Sequence, residues 1–75
     1  MKNYLFIPYE PIDSEVFQLG ESDKVLAEFR RRARATSAKC TLFAFDPEPR
    51  RGLRLLYSVS DGEISDGAGQ KIGQL

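Results

Sequence analysis

Apolar and polar residues alternate along this 75-residue chain with a rhythm that changes several times, and each change marks an element. Over residues 2–9, KNYLFIPY, Tyr4 and Phe6 alternate with Leu5, Ile7 and Tyr9, which predicts a strand with apolar groups on both faces. Pro8 has no amide to give to a ladder, and with Pro11, Asp13 and Ser14 it predicts a turn. Residues 15–19 alternate again, with Glu15, Phe17 and Leu19 against Val16 and Gln18. A short strand is the better match there, and a helical turn capped by Asp13 or Ser14 is the rival. The period then lengthens. Val25, Leu26, Phe29 and Ala33 recur at the spacing of one helix face, within a helix over residues 22–36. Ser22 stands where an N-cap hydroxyl belongs and Asp23 sits on the positive end of the dipole. Arg30, Arg31, Arg32 and Arg34 crowd the other end, where free carbonyls favour cations, and Glu28 is spaced to pair with Arg31 or Arg32. No glycine follows directly, so the helix is expected to stop between residues 35 and 37.

Residues 39–45, KCTLFAF, are apolar on both faces and predict a central strand, with Cys40, Leu42 and Ala44 toward the core. The connection DPEPRRG, residues 46–52, leads to LRLLYSVS at 53–60 and predicts an antiparallel hairpin. Along this second arm Leu53, Leu55, Tyr57 and Val59 alternate with Arg54, Leu56, Ser58 and Ser60. Asp61 and Gly62 signal a two-residue type I′ turn, so residues 63–65 are expected to fold back as an edge strand. The remainder, 66–75, is rich in Gly and Gln and reads as a flexible tail. The expected architecture is a single α+β domain over residues 1–65. It is a two-layer β-β-α-β-β arrangement, with an edge strand as a fifth, in which one helix covers one face of an antiparallel sheet.

A chain this short buries only about 60% of its unfolded surface, so its stability is small unless something staples it. No staple is visible, because Cys40 is the only cysteine and there is no histidine to complete a zinc site. Homodimer formation or docking onto a larger partner would add buried area. The apolar run at residues 4–7 is too short for a membrane span and lacks the flanks of a signal peptide, so a soluble protein in a reducing cytoplasm is expected. Net charge is zero, but the charges are sorted. Residues 1–29 hold two lysines against six acids, 30–54 hold eight basic residues against two acids, and 55–75 hold one against three. The sorting sets a basic block beside acidic ones; an ordinary solvated helix face and a charged turn would give the same pattern.

Catalysis requires a group poised near neutral pH or an activated nucleophile, and the chain has no histidine to supply either. Cys40 lies in an apolar run, where a thiol is usually an inert core group, and Lys39 beside it points to the opposite face. The carboxylate pairs Asp46 with Glu48, and Asp61 with Glu63, fall at turns that explain them. GAGQKIG, residues 67–73, spaces its glycines differently from a dinucleotide loop and lacks a phosphate-binding lysine after Gly67. The chain is therefore expected to be no enzyme and to carry no cofactor or metal.

Recognition remains. Arg30, Arg31 and Arg34 on the helix, with Arg50, Arg51 and Arg54 on the hairpin and Tyr57 beside them, are the candidate partner-binding residues, gripping carboxylates or phosphates. The acidic run from residue 10 to residue 23 is a second candidate, as a charge mimic of nucleic acid. No motif of a known family is present. In size and texture the chain is similar to the compact α+β proteins that phages and mobile elements encode to block a larger host assembly, anti-CRISPR proteins among them. That likeness implies a non-enzymatic inhibitor or adaptor that binds a larger protein or ribonucleoprotein complex. The alternative is a small nucleic-acid binder that uses the same arginines, although pI is near neutral and no RRM, KH, HTH or zinc-finger pattern is present.

Overall fold

In the computed structural model, residues 2–8, 13–36, 39–45 and 52–75 are described. They form six strands and one α-helix: β1 (Lys2–Ile7), β2 (Glu15–Leu19), α1 (Val25–Arg34), β3 (Cys40–Phe45), β4 (Leu53–Ser60), β5 (Glu63–Asp66) and β6 (Lys71–Gln74). All six strands belong to one sheet in the order β2-β1-β3-β4-β5-β6, and every neighbouring pair is antiparallel. The α+β reading holds: one helix lies against one antiparallel sheet. Because β2 and β3 flank β1 on either side, the connection through α1 must pass over β1, and this lays the helix across a single face.

That face holds the core. Val25, Phe29 and Ala33 are buried at helical spacing. They meet Tyr4 and Phe6 of β1, Cys40 and Leu42 of β3, Val59 of β4 and Ile64 of β5. Phe29 is completely enclosed, edge-on to Phe6 at 6.1 Å between ring centroids and stacked on Tyr57 at 5.8 Å. Aromatic pairs at such separations add to what area burial alone contributes. Tyr4 stacks on Phe17 of β2, which extends the core to that edge.

The helix opens differently from the expected Ser22 cap. Residues Ser22–Lys24 form a 3-10 turn, and Lys24, without a side-chain capping bond, is the N-cap of α1. The tighter turn uses the Lys24 amide on the Glu21 carbonyl, so the three residues that capping signals placed at the helix start take i→i+3 geometry instead. At the other end Thr36 closes the helix, its Oγ1 and its amide both donating to the Ala33 carbonyl. Residues 15–19 are strand rather than helical turn, paired to β1 over their whole length.

The stretch read as a flexible tail is structured instead. β5 runs to Asp66, and Lys71–Gln74 return beside it as β6, so the sheet has six strands rather than five. Asp66 builds the connection: its Oδ1 accepts from the Ala68 and Gln70 amides, and its carbonyl accepts from Gly69, which sits at φ +87°. GAGQKIG is thus a hairpin loop and a strand. The Asp61 and Gly62 turn has positive φ at both residues, 54° and 79°, as a type I′ turn requires.

The second departure lies in β4. Leu42 pairs with Tyr57 but Phe43 pairs with Leu55, so Leu56 is an extra residue in a β-bulge. Side chains alternate with period two, so one inserted residue reverses the facing of everything beyond it. Tyr57 and Val59 stay on the helix side, whereas Leu53 and Leu55, expected beside them, turn to the opposite face. Gly67 fits against this bulge, since a Cβ there would lie 2.4 Å from the Leu55 carbonyl oxygen. Backbone has little room to yield. Gly67→Ala is accordingly expected to cost about 1–3 kcal/mol, read as a lower urea midpoint with an unchanged m-value; an unshifted midpoint would show that the contact relaxes freely.

Candidate functional site: the open face of the sheet

Strand pairing assigns every side chain to a face, because directly opposed residues share one. Opposite the helix, one row runs Val16, Leu5, Phe43, Leu55 across β2, β1, β3 and β4. The adjoining row is Gln18, Asn3, Phe45, Leu53, and on the other side lies Ile7, Thr41, Ser58. Seven apolar side chains therefore share a face that no helix of the described residues covers. Val16 is 61% exposed, Leu53 54% and Leu55 36%, while Leu5, Ile7, Phe43 and Phe45 are half-buried.

Polar groups frame this patch and are mostly satisfied among themselves. Gln18 donates to Asn3 at 2.8 Å, and toward β5 and β6 the face continues through Ser58, Ser65 and Glu63, whose carboxylate pairs with Lys71 at 2.8 Å. The four-strand apolar row itself contains no charge.

The sequence-based candidates are dispersed differently from the expected single grip. Arg31 donates to Glu28, and Arg32, only 18% exposed in its side chain, bonds both Glu28 and Glu15 while its guanidinium lies 4.2 Å from the Phe17 ring centre. Arg30 is half-buried, its Nη2 passing over β6 where a Cβ on Gly73 would be 3.1 Å away, and its buried Nε has no partner among the described residues. Tyr57 is packed under Phe29 rather than offered as a platform. Arg34 and Arg54 are exposed, with Arg54 on the helix side opposite Ala44. Arg50 and Arg51 lie outside the described residues, as do Asp46, Glu48 and part of the acidic 10–23 run. Of that run, Glu15 is held by Arg32, and Glu21 pairs with Lys24 at 3.4 Å.

A cleft of about 440 Å³ opens beside the helix C-terminus, lined in part by Asp13, Glu15, Arg31 and Arg32. Within it Arg32 pairs with Glu15, and Arg31 is held by Glu28 on the helix. The Arg31 guanidinium, hydrogen-bonded to Glu28, holds that carboxyl below its ordinary value of 4.5 against a smaller opposing effect of burial. A depressed folded-state value means that the interaction is fully present above the unfolded pKa and is lost as pH falls through the folded one. Stability is therefore expected to drop as pH is lowered below about 4.5. Glu28→Gln should flatten this acid limb by less than about 1 kcal/mol, as befits a solvent-screened pair. Urea melts at pH 7 and pH 3 check it, and an equal acid loss in both proteins would assign the effect elsewhere. Cys40 is buried, 3% exposed, and burial pushes its thiol up against a hydrogen bond with Thr36 that pulls it down. Such a thiol is a poor nucleophile.

The sequence carried a signal for the open face: β1 and β3 are apolar on both sides, and the one α-helix among the described residues lies on one of them. Among the described residues no helix is long and apolar enough to cross a membrane. Set against known proteins, the chain matches no family model, no curated protein and no solved structure.

Proposed function

We propose that this chain is a non-catalytic protein-interaction domain, of inhibitor or adaptor type within a larger assembly, that docks through the open face of its sheet. The observation that carries the reading is the Val16, Leu5, Phe43, Leu55 row, an uncharged apolar band across four strands on the side away from the helix. The largest contiguous apolar patch on a monomer's surface is often the functional one. An antiparallel sheet whose second side faces water is ordinarily polar there. A reducing, cytoplasmic setting is part of the same proposal, supported by a single cysteine kept in the core.

The arginines contribute less than composition promised. Glu28 and Glu15 neutralise Arg31 and Arg32, which weighs against a phosphate-gripping surface and for protein recognition.

Tagged protein, mixed with an untagged copy and with lysate of the source cell and treated with nuclease, tests the reading. Protein association is expected to survive nuclease, to be lost in the Leu53→Lys, Leu55→Lys double variant, and to persist in Arg34→Glu, Arg54→Glu. Loss in the arginine variant alone would move the site to the helix side, and loss on nuclease treatment would move it to nucleic acid.

A further inference from the structure

We infer that the open face is covered by a second copy of the same chain, so that two sheets pack face to face into a homodimer with the helices outward. The inference rests on the docking reading above and names its partner.

Charge complementarity is the first support. The four-strand row carries no charged residue, and Glu63 and Lys71 farther along the face pair with each other, so the row itself neither selects a charged partner nor repels its own copy. A twofold interface places the same patch on both sides, so the patch must complement itself. An apolar row does. Two twisted sheets stack with their strands about 30° apart and their side chains interleaved about 10 Å between backbones. The row then crosses its own copy, and Leu55, Phe43 and Leu5 fill the gaps of the facing row.

The second support is area. Strands about 4.8 Å apart and about 3.3 Å of rise per residue give the four-strand apolar band roughly 19 by 17 Å in projection, with a polar rim on β5 and β6 beyond it. With side-chain relief and the rim included, this falls in the class of smaller, weaker interfaces, below the roughly 800 Å² per partner of a standard one. The rim also suits a dimer: Gln18 donates to Asn3, the Ser58 and Ser65 hydroxyls can reach across or hold water, and half-buried Glu63 with exposed Lys71 stands at the far edge with both signs present.

Third, among the described residues no second layer lies on this side. α1 has ten residues and spans about 15 Å, enough to cover one face of the central strands and no more. Pairing two copies turns a one-sided core into a four-layer arrangement, helix, sheet, sheet, helix, and displays Arg34 and Arg54 twice on the outside.

Sedimentation equilibrium over a range of concentrations tests the proposal on wild type, Leu55→Lys and Val16→Lys, with circular dichroism checking each fold. Val16, at 61% exposure on an edge strand, can be changed without touching the helix-side core. Wild type is expected to approach twice the 8.5 kDa chain mass as concentration rises. Each lysine, seated among apolar side chains, should weaken association at least about a hundredfold. Dimers undiminished in both folded variants would place the contact elsewhere and overturn the proposal. A monomeric wild type would also overturn it, and a soluble paramagnetic reagent then separates the two readings. Strong broadening of the Val16, Leu5 and Leu55 methyl signals would leave an open face free for another protein, whereas protected methyls would remove the docking surface as well.

Discussion

Phe29→Ala is expected to lose about 3–5 kcal/mol of stability, the range for removing a fully buried aromatic side chain. Phe29 has no exposed surface and contacts rings from two strands, Phe6 of β1 and Tyr57 of β4, so its removal opens the seam between the helix and two different strands at once. A domain of this length holds roughly 4–11 kcal/mol in total, so the variant should be largely unfolded at body temperature. Thermal and urea unfolding followed by circular dichroism measure it. Because self-association would make the midpoint depend on concentration, both proteins must be compared at one concentration. A loss under about 1 kcal/mol would mean that the helix is not held through this ring.

Ile64→Ala should cost about 2–5 kcal/mol, although it lies near the stretch whose composition reads as a tail. Ile64 is completely buried on the helix side of β5, paired with Val59 of β4 and with Gly73 of β6. Its enclosure depends on β6 being in place. The Leu75 amide, bonded to the Gly62 carbonyl at 2.8 Å, ties that strand to the preceding turn. The same unfolding measurements apply, and a near-neutral substitution would mean that β5 and β6 hang beside the core rather than close it.

The one strand missed, β6, and the face misassigned in β4 have physical reasons. β6 is four residues, KIGQ, with glycine inside it, and local propensity gives no cause to expect a strand there. Pairing with β5 supplies the stabilisation, and the Asp66 side chain that nucleates the connection looks in sequence like any loop aspartate. The β4 bulge is a property of two strands in register, so Leu53 to Val59 read alone show unbroken alternation and place Leu55 in the core. Local signals served well where the element is local. The helix stripe of Val25, Phe29 and Ala33, the strand at 15–19 and the Asp61 and Gly62 turn all follow from short-range spacing or backbone preference.

The candidate site was half legible. Four arginines close together suggested a grip, but whether a cation is available depends on which carboxylate reaches it, and Glu15 comes to Arg32 from another strand. The apolar face was legible in principle. Leu5, Ile7, Phe43 and Phe45 sit on strands apolar on both sides, and one ten-residue helix covers one side only.

An isotope-filtered NOE experiment on a mixture of labelled and unlabelled chains tests the central claim most directly. It detects only contacts between copies. A face-to-face dimer predicts intermolecular NOEs joining the methyl groups of Leu5, Val16 and Leu55 to the Phe43 and Phe45 rings of the other chain, with none from Val25 or Ala33. Intermolecular NOEs from the helix side, or none at concentrations where the mass has doubled, would contradict it.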